Sequence, residues 1–243
     1  MNTAAYSGGA TRHMTIDVKD VTLARNGRPV LHQLSLQLDE RRIGLIGVNG
    51  AGKSSLLRLF NGLLLPDQGH VTVHGLETKA SRAQLPRSVG FIFQNPEHQI
   101  VFPTSLEEIA FGLRERGMGP AEATAAARAF LLRHNCADWC ERSVAELSDG
   151  QKQHLCILAI LVCEPALVLL DEPFSSLDLR ARNMFLRLLF NLPQQIVMAS
   201  HDLDAMQDFD RIVWLDDGQI AGDGTPETVL RAYRAHCDAQ AIA

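Results

Sequence analysis

"IGLIGVNGAGKSSLLRLFNGL" spans residues 43–63 and decides the fold. A short, wholly apolar run ends in Gly47, and a helix-like pattern opens at Lys53. Between them lies G-x-x-x-x-G-K-[ST], and the strand before and helix after are the context that this spacing needs. Glycines let the backbone curl so that several N–H groups of Gly47, Asn49, Gly50, Ala51 and Gly52 point inward. Those donors and the N-terminus of the next helix suit phosphate oxygens. Lys53 supplies positive charge for the terminal phosphates. Ser54 places a hydroxyl on Mg²⁺, and Ser55 completes the loop.

A second strand carries matching acids. "LVLLDEP" (167–173) is a buried apolar run ending in Asp171 and Glu172. Asp171 is placed to hold a metal ion, directly or through water. Glu172 can polarise an attacking water as a general base. His201, in "MASHD", follows another apolar strand. That strand end predicts His201 at the same sheet edge as Ser54 and Asp171, able to donate to a γ-phosphate.

The rest of the chain reads as α/β. "TIDVKDVTLA" and "LSLQLD" alternate like strands of an antiparallel hairpin, with "NGRPVL" as the turn. "HVTVHG", "SVGFIF", "QIVMASHD" and "RIVWLDDGQI" are further strands, the last turning at Asp217-Gly218. Helices are predicted after Ser54, from Thr104, from Gly119, over "GQKQHLCILAILV" and over "GTPETVLRAY", where Thr225 precedes Pro226 at the first helical position. Either Thr104 with Glu107 or Ser105 with Glu108 suits a capping box. Leu106, Ile109, Ala110 and Leu113 then share one face. Apolar strands alternating with helices predict buried parallel strands.

Bulk composition narrows the class. The 243 residues are 46% hydrophobic, enough for a sizeable core. Net charge is −5, from 23 Lys+Arg against 28 Asp+Glu, so no basic face argues for nucleic acid. Five cysteines in no regular framework read as reduced thiols. His134, Cys136 and Cys140 lack the spacing of a zinc site. Residues 1–14 carry no apolar segment and are expected to be disordered and no signal peptide. The strongest apolar run, Leu155 to Cys163, is too short to cross a bilayer.

With "LSDGQKQ" (147–153) ahead of "LVLLDEP", the order of motifs resembles the ATP-binding-cassette (ABC) ATPases, from about Thr15 to about Leu230. The resemblance implies an ABC-type P-loop ATPase with a mixed sheet core, an antiparallel β subdomain and a helical subdomain at about 95–165, in one domain over 15–243. It implies ATP and Mg²⁺ as cofactors. On that resemblance Gln94 would reach the Mg²⁺ and the attacking water. Leu147, Ser148, Asp149, Gly150 and Gln151 form a signature that acts on the nucleotide of an opposite subunit. Ser176, Leu177 and Asp178 link the two sites, and His201 is a switch histidine. The resemblance also implies that two subunits, alike or different, close around two ATP molecules. The signature opens an apolar helix, so its N–H groups are expected to face outward, for a second nucleotide. Two positions depart from the family. Asp149 stands where glycine is usual and adds negative charge near a polyphosphate. Arg25 stands where an aromatic often stacks on adenine, and a guanidinium can stack on a base.

"FQNPEHQIVFPTSLEEIAFGL" resembles ATPases of energy-coupling-factor (ECF) transporters. Those dock on a transmembrane coupling protein, at the cytoplasmic face of the membrane, while another membrane protein captures substrate. Pro96 stops the strand, and Glu97, His98 and Gln99 are expected on a loop that such a partner grips. The chain ends soon after its core, which resembles dedicated biotin uptake systems. Cobalt or nickel uptake is the alternative cargo, and a nucleotide-gated interaction module or a non-transport ABC ATPase is the alternative class.

Overall fold

A computed structural model describes residues 15–175 and 177–242. The expectations for residues 1–14 and for Ser176 lie outside the described residues. The chain opens with β1 (Ile16–Arg25) and β2 (Arg28–Leu38), paired antiparallel with Arg25 opposite Arg28. Asn26-Gly27 makes a two-residue hairpin turn, a sequence suited to tight twisted hairpins. With β4 (Gln68–Val73) and β5 (Leu76–Glu77) they form a four-stranded antiparallel sheet, ordered β2-β1-β4-β5.

The second sheet holds β3 (Arg42–Ile46), β6 (Val89–Ile92), β7 (Leu167–Asp171), β8 (Gln195–Ala199), β9 (Arg211–Asp216) and β10 (Gln219–Gly224). Its order is β10-β9-β3-β8-β7-β6, with β10 antiparallel and the other pairings parallel. Strands β3, β6, β7 and β8 are buried at every position, which explains sequences that are apolar except for Arg42, Asp171 and Gln195 at strand ends.

Side chains alternate between two cores. Leu167 and Leu169 of β7 and Val197 and Ala199 of β8 pack toward the antiparallel sheet and α1 (Lys53–Phe60). Val168, Leu170, Ile196 and Met198 face the other way. There they meet α2 (Ser105–Glu115), α3 (Pro120–Arg133), α4 (Asp149–Leu161), α5 (Leu179–Asn191) and α6 (Pro226–Ile242). No strand lies between β6 and β7 among the described residues.

Thr104, not Ser105, caps α2, with Glu107 N donating to its hydroxyl at 3.3 Å. Glu108 instead accepts from the N–H groups of Val101 and Phe102, both at 2.9 Å, and so shapes the loop ahead of the helix. The expected apolar face holds: Ile109, Ala110 and Leu113 are buried and Leu106 packs against them. Helix α5 is not among the helices expected above. Asp178 caps it, accepting from Ala181 N at 2.7 Å. Its far end is held by Arg42, a cation only 5% exposed. The Arg42 guanidinium donates to the carbonyls of Leu189, Phe190, Leu192 and Gln194. A cation there satisfies the last carbonyls of the helix and its dipole. Burial drops the guanidinium pKa to about 10.

Candidate nucleotide site

Four parallel strands end at one sheet edge. β3 delivers Gly47, β7 delivers Asp171 and Glu172, β8 delivers His201 two residues beyond Ala199, and β6 delivers Gln94. The register sets Ile92 against Leu170, so Gln94 and Glu172 each lie two residues past a paired position. Open α/β sheets bind ligands at such carboxyl ends.

The loop from Gly47 to Ser55 depends on glycine at two points. Gly47 has φ 142, and a Cβ there would lie 2.1 Å from the Leu215 carbonyl oxygen. Gly52 has φ 105 at the start of α1, and a Cβ would meet Leu31 Cδ2 at 2.7 Å. Gly52 offers no side chain to cap α1, so the first N–H groups of that helix keep no side-chain partner. Lys53 folds back and donates to its own loop, at 2.7 Å to Gly47 O and 3.2 Å to Val48 O. Burial lowers its pKa, against the opposing pull of Glu172 and Asp171.

Ser54 Oγ donates to Asp171 Oδ1 at 2.7 Å. Asp171 is only 5% exposed. Arg58, one turn along α1, sets Nη2 3.7 Å from Asp171 Oδ2, a neighbour that motif spacing does not reveal. A hydroxyl and a carboxylate oxygen side by side are the hard donors that Mg²⁺ takes alongside substrate phosphates, so these residues fit that ion.

Glu172 holds φ 50, a strained left-handed value for a non-glycine residue. Its N–H donates to Ala199 O at 2.9 Å, which ties β7 to β8. Its Oε2 lies 2.8 Å from His201 Nδ1 and accepts from His201 N at 3.2 Å. The sequence places these two residues at one edge; the structure puts them in contact.

The segment after Gln94 is more tied down than the sequence suggests. Pro96–His98 forms a 3-10 turn capped by Asn95, whose side chain accepts from Glu97 N at 2.9 Å. Glu97 pairs with Lys152 of α4. Gln99 turns inward, accepting from Phe93 N at 3.2 Å and donating to Cys156 O at 3.1 Å. Of the three residues expected to meet a partner, Gln99 turns into the cassette, Glu97 pairs with Lys152 while staying 61% exposed, and His98 is exposed.

The signature region narrows one expectation. Ser148 caps α4, accepting from Gln151 N at 3.3 Å, while Gln151 Oε1 accepts from Ser148 N at 3.0 Å. This reciprocal capping box occupies two of the donors expected to face outward, those of Ser148 and Gln151, and leaves those of Asp149 and Gly150. S-x-x-Q is the legible sign of it. Ser148, Asp149, Gly150 and Gln151 line a cavity of about 770 Å³ with Asp178 and Arg180. No residue of the 47–55 loop lines it. Leu147 is buried, and Leu177 packs against the core. Asp149 also borders a cleft with Gln94, Asn95, Glu97 and Ser175. Its negative charge helps raise the pKa of Lys152, after the larger effect of Glu97. Arg25 lies exposed at the tip of the β1–β2 hairpin.

Fold and site together define a P-loop nucleotide-binding α/β domain. Residues 31–175 match the sequence profile of the ABC transporter family, and the chain belongs to that family. It is 47% identical over 228 residues to the biotin transport ATP-binding protein BioM of Rhodobacter capsulatus, across 94% of this chain and 97% of that protein. It is 35% identical over 221 residues to BioM of Rhizobium etli, across 91% of this chain and 98% of that one. Among solved structures it resembles cbiO1 from Clostridium perfringens, described as part of the ABC transporter complex cbiONQ. The TM-score is 0.78 at 25% identity, across 89% of this chain and 90% of that one.

Proposed function

We propose that the chain is the energy-coupling ATPase of an ECF-type importer, with biotin as the cargo. One observation carries the hydrolytic reading: Lys53, the Ser54–Asp171 pair and the Glu172–His201 pair meet at one sheet edge. The biotin reading is supported by the two BioM relatives.

On this reading the loop from Gly47 to Ser55 cradles the phosphates. Lys53 leaves its own carbonyls for phosphate oxygens when ATP arrives. Ser54, Asp171 and Gln94 would hold Mg²⁺, which would supply positive charge against the phosphates. Glu172 accepts a proton from the attacking water. His201 steadies Glu172 Oε2 through Nδ1 and offers Nε2 to the γ-phosphate. Making both bonds as a donor needs both ring nitrogens protonated. Arg25 stacks on the base. Residues 147–151 meet the nucleotide of a second subunit, with Leu177 and Asp178 between the sites. Support for that is the separation of the signature cavity from the chain's own phosphate loop.

The unit is one cassette over 15–243, with the helices of 95–165 as a subdomain. No helix among the described residues is long and apolar enough to cross a membrane. Attachment to the cytoplasmic face then runs through a transmembrane coupling protein, beside a substrate-capture protein. Val101 is 74% and Phe111 39% exposed, and the rings of Phe102 and Phe111 lie 5.1 Å apart. This apolar patch, a few residues on from Gln94 in sequence, is where coupling helices would seat.

The test is steady-state hydrolysis by the protein isolated with its membrane partners, together with labelled-biotin uptake. Glu172→Gln should bind ATP normally and turn over about 100-fold slower or less, the scale of lost general base catalysis. Wild-type turnover in that variant removes Glu172 as the base. Biotin uptake that survives deletion of the chain removes the cargo assignment.

A further inference from the structure

Asp202 follows His201 directly, and α5 grips its carboxylate. Arg182 donates to it through both Nε and Nη2, the latter at 2.8 Å to Oδ1. Such two-pronged pairs fix orientation as well as distance. Both side chains are largely shielded, 19% and 25% exposed. The carboxylate also organises the turn that carries His201. Ala205 N donates to Asp202 Oδ1 at 3.1 Å, and Asp202 N donates to Ser200 Oγ at 3.0 Å.

Arg182 also has contacts on its other side. Its backbone N–H donates to Asp178 O at 2.9 Å. Its guanidinium lies 5.9 Å from the centre of the Phe174 ring. That ring packs edge-on against Phe185 of α5 at 5.3 Å. Phe174, Leu177 and Asp178 belong to the loop joining Glu172 to α5. Arg182 thus touches the loop on one side and the His201 turn on the other. Hydrogen bonding to Arg182 lowers the Asp202 pKa, and the same bond raises that of Arg182.

We infer that the Arg182–Asp202 pair is a positioning clamp that sets His201 against Glu172 and makes that placement follow the loop leading into α5. This rests on the hydrolytic reading of the site. Neither residue needs to touch nucleotide. A displacement of Phe174 or Asp178 is carried by Arg182 to Asp202, and from there to the adjacent imidazole. In a closed pair of subunits, the loop holding Leu177 and Asp178 would sense the neighbour, and His201 would answer.

The experiment compares wild type, Arg182→Gln, Asp202→Asn and Arg182→Lys, each alone and with His201→Ala, in the complex with its membrane partners. Single-turnover rates resolve the slow variants. Arg182→Gln and Asp202→Asn should lower kcat about 10- to 100-fold, the scale of a small misplacement near the reacting atoms. KM should stay within about twofold, and Arg182→Lys should recover part of the rate. In the His201→Ala background the same substitutions should cost nothing further, because the clamp acts through that residue. Equal losses with and without His201 would overturn the inference, and so would wild-type turnover in Asp202→Asn. That isosteric variant keeps the test open should Arg182→Gln fail to fold. Wild-type turnover in Glu172→Gln instead removes the hydrolytic reading itself.

Discussion

Helices α1 and α4 both begin at glycine-containing entries, and they treat their first N–H groups in opposite ways. At α1 the cap is Gly52, with no side chain to close the turn, and Lys53 folds onto the loop's own carbonyls. At α4 the cap is Ser148, and a full capping box with Gln151 closes the turn. An open N-terminus is a ready anion site. A closed one has already satisfied two donors and can offer only what remains, at Asp149 and Gly150. The first helix is therefore built to receive phosphate by itself. The second keeps its shape without ligand and presents a preformed edge.

Three substitutions sharpen or break this contrast. Lys53→Ala should weaken ATP binding most, by about 2–3 kcal/mol or near a hundredfold in Kd, as a charge-assisted contact is lost. Equilibrium titration with a fluorescent ATP analogue reads it. An unchanged Kd would mean that Lys53 stays on its own carbonyls. Ser148→Ala should destabilise the fold by about 1 kcal/mol, the usual value of an N-cap, with ATP affinity of the isolated chain unchanged. Thermal or urea unfolding measures the first and the same titration the second. A loss of affinity there would show that α4 serves its own nucleotide. Asp149→Gly should have the smallest effect, under about twofold on turnover in the complex, because Lys152 lies close enough to offset the charge. A large rise in rate would show that the acid repels the neighbour's phosphates.

The same contrast separates what was legible in the sequence from what was not. The loop at 47–55 could be read because strand, glycines, lysine and helix follow one another without a gap. Asp171, Glu172 and His201 were found because each ends a wholly apolar strand, and parallel strands bring such ends to one edge. Helix α5 was harder. Only Phe185 and Leu189 of its residues are fully buried, while Leu179 and Met184 stand 70% and 52% exposed, so residue type alone does not mark which of its apolar side chains face the core. Asp178 marks its start, yet a residue read as part of a linking loop hides as a cap. Glu97 and Gln99 look like surface residues by type. Their partners, Lys152 and Cys156, lie more than fifty positions away. Pairings at that range leave no local pattern.

The anchoring of α5 by Arg42 has a mechanical consequence. One end of the helix is pinned under a buried cation, and the other carries Asp178 into the signature cavity. Thirteen residues at a rise of about 1.5 Å each make a rod of about 20 Å. Pivoting such a rod by about 5° on its pinned end sweeps the free end through about 1.7 Å. A pivot of that size about the Arg42 end would be enough to make or break a hydrogen bond at Asp178.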